Sequence, residues 1–528
     1  NNWQITDALP VPVWVSQLSK LFAMFGVTFL LSLIFMFCGI LTQIIRGGAS
    51  TIDIGLFVND FLGYNWGMIN YCFYIILVFF LAGLTGKRFL THVLGAGYFF
   101  AIIVCFEFGL LEDLRLGLGF TPGFEDYSEM NAYGMWRTAS FWYFLMWLTF
   151  SIALVLLGIL FWDRGLAKRF LKKLQFQSKQ LNLTGKLAVL VFLFLFVFLQ
   201  SFIYKQVNLA DNFELSSITE AKSAEYERTY SFVNTRPQPL YSHVDLSIEL
   251  YPDERRAAYK ARTEITNLNK SPIDTLYLSL PEKCELQKLS LDGETLEPLE
   301  QDETHNMAMF LLPNSLDSGA IMPLEMEMVK QFTGFSQGDP QAALVYQGTF
   351  ASLDKYLPKL GYDKSKTLTS NRVRLSQKLP RLTSLLPPIN DEKYQALNTF
   401  RTDSRRIKGN ITIGTIMGQT PIGTGRQVKS WLEGNRQYAN FVIEKPTPLN
   451  WHIGSAPYSK SYDGDISVYH NPKHLYNVRL YQRILNTSQW FIQSNLGDYP
   501  YAETRLYEIP RYQEAIYSFP YGIAVSEL

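Results

Sequence analysis

Hydrophobic and polar positions divide the chain at about residue 205. Before that point lie five apolar stretches without aspartate, glutamate, lysine or arginine, each close to or above the roughly 18 to 20 residues that a helix needs to cross a bilayer. They are Leu21–Ile45, Phe61–Gly86, Phe89–Phe106, Thr138–Trp162 and Leu187–Tyr204. The pattern therefore predicts an α-helical polytopic membrane domain over residues 1–204.

After residue 205 the pattern changes to short stretches in which apolar and polar residues alternate, as expected for strands with one buried face. Such stretches occur at Val244–Leu250, Thr275–Leu280, Leu324–Met328 and Ile411–Ile413. We predict a linker with one helix at 205–240, a β-rich domain at 241–458, and the start of a further, α+β domain at 459–528.

A helix is predicted close to the end of the chain, with Asn471 as its cap and Pro472 in its first turn. Its apolar face would follow the helical spacing of His474, Val478, Tyr481, Leu485, Ser488 and Ile492. His470 and His474 have the spacing that zinc metallopeptidases use on a helix. Because Pro472 would place His470 before the helix, and Asn471 stands where the general-base glutamate should be, we interpret His474 as a buried or capping residue. No metal site is predicted here.

The net charge of +1 disfavours nucleic acid as a partner, because phosphate binding requires a concentrated basic surface. Three of the four cysteines, Cys38, Cys72 and Cys105, fall within the apolar stretches. Cys284 is therefore alone in the remainder, so the second half of the chain has no internal disulfide framework.

The basic residues of the loops predict the orientation in the membrane. The loop 163–186 contains seven basic residues against Asp163, and the turn between the second and third stretches contains Lys87 and Arg88. The loops 46–65 and 107–137 carry more acidic than basic residues. Residues 205–528 are therefore expected on the extracytoplasmic, periplasmic side of a bacterial inner membrane.

The segment before the first stretch, Asp7-Ala-Leu-Pro-Val-Pro-Val-Trp14, and the long glycine-containing loop 107–137 resemble the second half of a type-2 ABC exporter permease. The resemblance implies that Asp7, Leu9, Pro10, Val13 and Trp14 contact an ATPase, and that a hairpin of short helices lies in the outer loop. No G-x-x-x-x-G-K-[ST] sequence occurs in the chain, so this ATPase would be a separate polypeptide.

The strings Asp498–Tyr501, Arg505–Pro510, Ser518–Gly522 and Ser526-Glu527 resemble the zinc aminopeptidase family of aminopeptidase N and leukotriene hydrolase. They resemble still more closely a bacterial family in which an ABC permease continues into such a peptidase. The resemblance implies a saddle-like domain at 241–458 and the start of a thermolysin-like domain at 459–528. It also implies an edge strand after which Glu527, with Gly522 and Tyr521 nearby, holds the free amine of a substrate.

The sequence stops before the zinc-binding helix of that family, so no catalytic residue or metal ligand is assigned. Zinc is expected only if a later segment carries H-E-x-x-H. We therefore predict an ABC-exporter-type permease subunit fused to an aminopeptidase-like module, and the sequence leaves open whether it is an enzyme. The alternatives are a membrane-anchored peptide-binding or assembly module without catalysis, and an ectopeptidase without transport. Expected partners are the ATPase, the lipid bilayer, peptides, and a second copy or other envelope proteins.

Overall fold

The computed structural model describes residues 11–48, 52–63, 67–123, 127–162, 183–382, 390, 401–501, 503–513 and 515–527. The chain divides into two compact units. The first, here called the helical unit, comprises Asn1–Glu125, Trp136–Phe213 and Gly334–Asp339. The second, the β-rich unit, comprises Asp126–Met135, Glu214–Thr333 and Pro340–Leu528. Each unit therefore includes a short segment whose neighbours in sequence belong to the other unit.

Within its described residues, the helical unit contains five helices that are long and apolar enough to cross a membrane, which confirms the predicted number. They are α1 (Val13–Ile45), α3 (Met68–Thr85), α4 (Arg88–Glu107), α5 (Trp136–Phe161) and α6 (Leu183–Tyr204), the last extended by a π-helical turn at Lys205–Ala210. A short helix, α2 (Ile54–Leu62), was not predicted from the sequence. It begins where the Asp53 side chain accepts a hydrogen bond from Leu56 N at 3.1 Å.

Helix α5 is the most buried of the five, and its residues Ala139, Tyr143 and Met146 have no exposed surface. It contacts α3 backbone to backbone, since a Cβ added to Gly83 would lie 2.7 Å from the carbonyl oxygen of Gly158. Small residues at such a crossing allow helices to approach closely within a membrane.

Residues 108–123 differ from the expected hairpin of short helices. Among the described residues of this loop, the only helical element is the 3₁₀ turn Leu114–Leu116. The irregular backbone is instead held by side chains of α5, because Trp147 Nε1 donates to Phe120 O at 3.0 Å and Ser140 Oγ donates to Pro122 O at 2.7 Å. Side-chain donors therefore replace the internal hydrogen bonds of a helix here.

Segment 334–339 joins the helical unit through a buried polar cluster. Arg115 forms an ion pair with Asp113 and also donates to Asn208 Oδ1 at 2.9 Å. The Gln337 side chain accepts from Leu114 N at 2.9 Å and donates to Asp113 at 3.1 Å. Burial acts to raise the pKa of Asp113, but the hydrogen bonds from Arg115 outweigh burial and the pKa is lowered.

The β-rich unit contains four sheets, and its strands confirm the four stretches predicted from alternation. The strands are β1 (Leu240–Tyr251), β2 (Arg256–Thr266), β3 (Ile273–Ser279), β4 (Cys284–Leu291), β5 (Glu294–Thr295), β6 (Glu300–Asp302), β7 (Met307–Leu316), β8 (Ile321–Gln331), β9 (Thr349–Ser352), β10 (Lys359–Leu360), β11 (Ser404–Ile416), β12 (Thr420–Gly423), β13 (Arg426–Glu433), β14 (Arg436–Thr447), β15 (His452–Ala456), β16 (Ser459–Asp463), β17 (Ile466–His470), β18 (Thr504–Ile509), β19 (Ile516–Phe519) and β20 (Gly522–Ser526). The unit also contains helices α7 (Ser216–Tyr230), α8 (Asn371–Ser376) and α9 (Val478–Asn495).

The largest sheet has eight strands in the order β13-β14-β11-β1-β2-β8-β4-β5, and the smaller sheets have the orders β10-β3-β7-β6 and β12-β15-β9. Strands β1 and β11 are parallel, with Leu246 opposite Ile411. A Cβ added to Gly409 would lie 1.9 Å from Val244 O, so only glycine allows β11 to approach β1 here.

The last sheet has the order β16-β17-β18-β20-β19, and α9 packs on one of its faces. Val478 and Leu485 of α9 are buried against the sheet, as predicted, whereas Ser488 of the predicted face is exposed. The helix begins at Val478 and not at Pro472, so the predicted start is wrong. The Asn471 side chain accepts from Lys473 N at 3.1 Å and closes a turn instead of capping a helix, while Asn471 N donates to Glu508 on a distant strand.

Candidate functional site

The candidate site lies where two parallel strands of the last sheet end. Strands β18 and β20 run parallel, with Glu508 opposite Val525 and Ile509 opposite Ser526. Glu527 follows directly after β20, and its backbone N–H donates to Ile509 O at 2.9 Å. The two glutamates are therefore held at the same edge of the sheet, where the carboxyl ends of its parallel strands meet.

A nine-residue segment, 127–135, packs against this edge, and we call it the clasp. It belongs to the β-rich unit, although in sequence it lies between α4 and α5 of the helical unit. Ser128 N donates to Ala132 O at 2.9 Å, Gly134 N donates to Asn131 O at 2.8 Å, and the rings of Tyr127 and Tyr133 meet edge to face. These contacts close the clasp on itself as a compact loop.

The clasp satisfies one oxygen of the Glu527 carboxylate. Glu527 Oε1 accepts a hydrogen bond from the Ser128 hydroxyl and another from Met130 N at 3.2 Å. The same hydroxyl accepts from Asn131 N at 3.2 Å, which fixes its orientation. Ser128 has no exposed surface and Met130 is buried, so this oxygen is shielded from water by the clasp.

His474 joins the clasp to Glu508. Its Nδ1 is hydrogen-bonded to Glu508, and its Nε2 lies 2.7 Å from Glu129 Oε2. Glu508 has no exposed surface, and it also accepts from Asn471 N at 2.6 Å. The hydrogen bond with Glu508, assisted by Glu129 and opposed by burial, raises the pKa of His474 to about 9. At neutral pH the ring is therefore an imidazolium that donates from both nitrogens.

The raised pKa of His474 predicts a pH-dependent contribution to stability. Its pKa is about 9 in the folded chain against an ordinary value of 6.5, so the contribution is complete below pH 6.5 and is lost as the pH rises through 9. We expect the free energy of unfolding of wild type, relative to His474→Gln, to fall by roughly 2 kcal/mol across this window. Urea unfolding at pH 6.5, 7.5, 8.5 and 9.5 measures it. The half-exposed His243, replaced by glutamine, is the matched control, and equal slopes for all three proteins would contradict the assignment.

The two histidines considered in the sequence do not form a metal-ligand pair. His470 Nδ1 donates to Asn471 O at 2.8 Å and its Nε2 lies 3.1 Å from Ser461 Oγ, whereas both nitrogens of His474 contact glutamates. Across the part of the chain that the structure describes, no three His, Cys, Asp or Glu side chains are placed to hold a metal ion.

The structure separates the three residues that were predicted to bind substrate together. Tyr521 and Gly522 lie at the start of β20, whereas Glu527 follows its end, roughly 16 Å away along an extended strand. The Tyr521 ring packs against Tyr501 with centroids 4.4 Å apart. The resemblance also implied an edge strand, but β20 is paired with β18 on one side and β19 on the other. Of the predicted set, only Glu527 belongs to the site described here.

The predicted ATPase-contacting segment is described only in part. Asp7, Leu9 and Pro10 lie outside the described residues. Val13 and Trp14 form the first turn of α1, continuous with the membrane-spanning helix, and Trp14 is exposed. In the described residues these two side chains therefore belong to the same continuous helix as the first apolar stretch, and their contact with an ATPase stays a prediction.

Sequence reasoning missed three residues of the site: Ser128, Glu129 and Glu508. Glu508 had a local signal, because it is an acidic residue within the otherwise largely apolar string Leu506-Tyr-Glu-Ile-Pro510. Buried carboxylates require partners, so a glutamate in such a strand indicates a buried polar contact. Ser128 and Glu129 had no such signal, since their partners are more than 340 residues away in sequence.

No protein-family model and no curated protein matches this chain. Its fold is partially similar to that of the M1 zinc metallopeptidase from Deinococcus radiodurans, with 10% identity and a TM-score of 0.36 over 55% of this chain and 61% of that chain. A mutant of the same enzyme bound to a Tyr-Ser-Ala substrate gives 11% identity and a TM-score of 0.35, over 52% of this chain and 57% of that one. A two-domain M1 zinc metallopeptidase mutant bound to L-arginine gives 11% identity and a TM-score of 0.33 over the same shares. The chain thus spans less than two thirds of the length of each.

Proposed function

We propose that the β-rich unit binds the free amino terminus of a peptide at Glu527, in a protein that is held in a bacterial inner membrane by its five apolar helices. The observation that carries this proposal is the balance of charge at the sheet edge. Three carboxylates, of Glu129, Glu508 and Glu527, meet there, and in the described part of the chain His474 is a cation hydrogen-bonded to two of them. Because His474 contacts the first two, Glu527 is the carboxylate of this group without a cationic partner within it.

An ammonium group suits this position. Glu527 receives neutral N–H and O–H donors from the clasp, which do not balance its negative charge, whereas an ammonium donor supplies both hydrogen bonds and a positive charge. A peptide's α-amino group supplies up to three such donors on a small cation. We therefore expect a free amine to bind Glu527 in preference to a neutral group.

An edge strand close to Glu527 supports a peptide as the ligand. Strand β19 is the last strand of its sheet, and Ile516 at its start is opposite Val525, next to the end of β20. Ile516 is 75% exposed. An extended peptide can add to such an edge through its backbone, which leaves its terminus to interact with a nearby charged group.

The test is the binding of tetra-alanine with a free amino terminus and a fluorophore at its carboxyl end, measured by fluorescence anisotropy with the full chain in nanodiscs. We expect Glu527→Gln to weaken binding at least tenfold, because the amide removes the negative charge. The exposed Glu433→Gln is the matched control and should leave binding unchanged. Equal affinity for the N-acetylated peptide, or equal affinity of Glu527→Gln, would show that the amine is not recognised by this carboxylate.

Transport stays a prediction of the sequence. The described helices have the length and composition of membrane spans, but the segment predicted to contact an ATPase is described only at Val13 and Trp14. The β-rich unit would therefore bind peptides on the extracytoplasmic side, which is the side that the basic loops predict for it.

A further inference from the structure

We propose that the clasp, residues 127–135, is a built-in competitor for the Glu527 site, so that a peptide's amino terminus binds only when the clasp withdraws. This inference rests on the proposed function and adds the regulation of the same site. Ser128 and Met130 present their donors to Glu527 Oε1, the position where an ammonium group would bind. Both residues are buried, so the clasp and a peptide terminus exclude each other at this oxygen.

The clasp contacts the sheet edge as a separate loop and does not pair with the sheet as a strand. Its backbone bridge joins Ser128 to Ala132 within the loop, and it contributes no residue to the ladder of β16 to β20. Ala132 has a φ of 49°, in the left-handed region that a tight loop requires. The two clasp donors, one hydroxyl and one backbone N–H, both reach a single oxygen of Glu527.

The contacts that hold the clasp are mostly polar and lie at its rim. Glu129 contacts His474 but its side chain is 56% exposed, and Asn131 Nδ2 donates to Tyr512 OH at 3.1 Å. Met130 is the one apolar clasp side chain that is buried, at 6% exposure. Segments with few buried apolar contacts open at a lower free-energy cost than core strands do. The clasp can therefore withdraw while the sheet stays folded.

Withdrawal of the clasp is also constrained by chain connectivity. Met135, its last residue, is joined directly to Trp136, the first residue of the membrane-spanning helix α5. A displacement of the first turn of α5 would therefore act on the clasp through one peptide bond. The clasp is therefore continuous in sequence with a helix that belongs to the other unit.

The test locks the clasp in place. The native cysteines are first replaced by alanine, and two new cysteines are introduced, Asn131→Cys in the clasp and Tyr512→Cys in its contact partner. A short bis-maleimide reagent with a cleavable disulfide spacer then bridges the two. Bridged Leu432→Cys and Gln437→Cys, across the hairpin of β13 and β14, form the matched control. The probe is the same free-amine tetra-alanine, with the full chain in nanodiscs. We expect the bridged clasp to bind at least tenfold more weakly, full recovery when the spacer is cleaved, and no effect of the control bridge.

A second variant tests the competition without a bridge. Ser128→Ala removes one clasp donor but leaves Glu527 intact, so we expect free-amine peptide to bind roughly tenfold more tightly, opposite in sign to Glu527→Gln. A residue with only a structural role would not tighten binding when truncated. If Ser128→Ala weakens binding or leaves it unchanged, or if the bridged protein binds as well as the cleaved one, the clasp is not a competitor. If the clasp is not a competitor but amine binding still depends on Glu527, the proposed peptide-binding function is retained. If no variant binds the peptide, the competition and the proposed function are both overturned.

Discussion

Replacement of Asp403 by asparagine is expected to lower the free energy of unfolding of the β-rich unit by about 3–5 kcal/mol. Arg401 and Asp403 form an ion pair in which each side chain is only 3% exposed. Arg401 also donates to Pro358 O at 2.9 Å, and Asp403 accepts from Leu360 N at 3.1 Å. Asparagine keeps the shape of the side chain but removes its charge. Because a guanidinium does not lose its proton, the variant would bury an uncompensated cation.

The control for Asp403→Asn is the double variant Arg401→Met with Asp403→Leu, which removes both charges. We expect it to recover most of the lost stability, since apolar replacements of a buried pair are often neutral or stabilising. The exposed pair of Arg426 and Glu444 offers a second comparison, and Glu444→Gln should leave the free energy of unfolding almost unchanged because solvent screens this pair. Native-state hydrogen exchange of β1 and β11 in the full chain measures all three. A double variant as unstable as the single one would contradict this account.

Features set by nearby residues could be predicted from the sequence. The five spans follow from apolar length alone, and β1 and β8 follow from strict alternation, because one buried face of a strand imposes a period of two. The first and last residues of the apolar helices were predicted less accurately than their number. Helix α1 begins at Val13 and not at Leu21, because Lys20 and the polar residues before it continue the helix without interrupting it.

Features set by distant residues could not be predicted. The Asn471-Pro472 pair has the local signature of a helix start, but Asn471 N donates to Glu508, which is 37 residues further along the chain. This long-range hydrogen bond and the turn at Lys473 delay the helix to Val478. Local capping rules compare only neighbouring groups, so they do not include a competing acceptor on another strand.

The site shows the same division. Glu527 was selected from a resemblance that spans a few residues, and its binding role stays a prediction. The structure shows its carboxylate at a sheet edge, hydrogen-bonded to Ser128. Its expected companions Tyr521 and Gly522 were chosen for closeness in sequence, yet an extended strand carries neighbours apart by about 3.3 Å per residue. The residues that do hydrogen-bond to Glu527 come from the clasp, and Met130 is 397 residues away in sequence. Patterns of neighbouring residues do not reach that far.

The orientation prediction has an all-or-none outcome. In a chain whose native cysteines are replaced by alanine, Lys270→Cys is in an exposed turn of the β-rich unit and Lys87→Cys is in the exposed turn between α3 and α4. The excess of lysine and arginine at 87–88 and 163–186 predicts that those loops are cytoplasmic and that the fifth span leads residues 205–528 outward. We expect a membrane-impermeant maleimide to label Lys270→Cys in intact spheroplasts and to leave Lys87→Cys unlabelled until the membrane is permeabilised.

Lys87→Cys is the internal control for that experiment, because it shares the chain, the expression level and the reagent with Lys270→Cys. Permeabilisation should make both cysteines react, which shows that each is accessible in the folded protein. Labelling of Lys270→Cys only after permeabilisation, with Lys87→Cys reactive in intact cells, would reverse the orientation. Glu527 would then face the cytoplasm, and peptides outside the cell would no longer be ligands for it. The direction of labelling therefore decides in which compartment the clasp and a peptide amino terminus would compete.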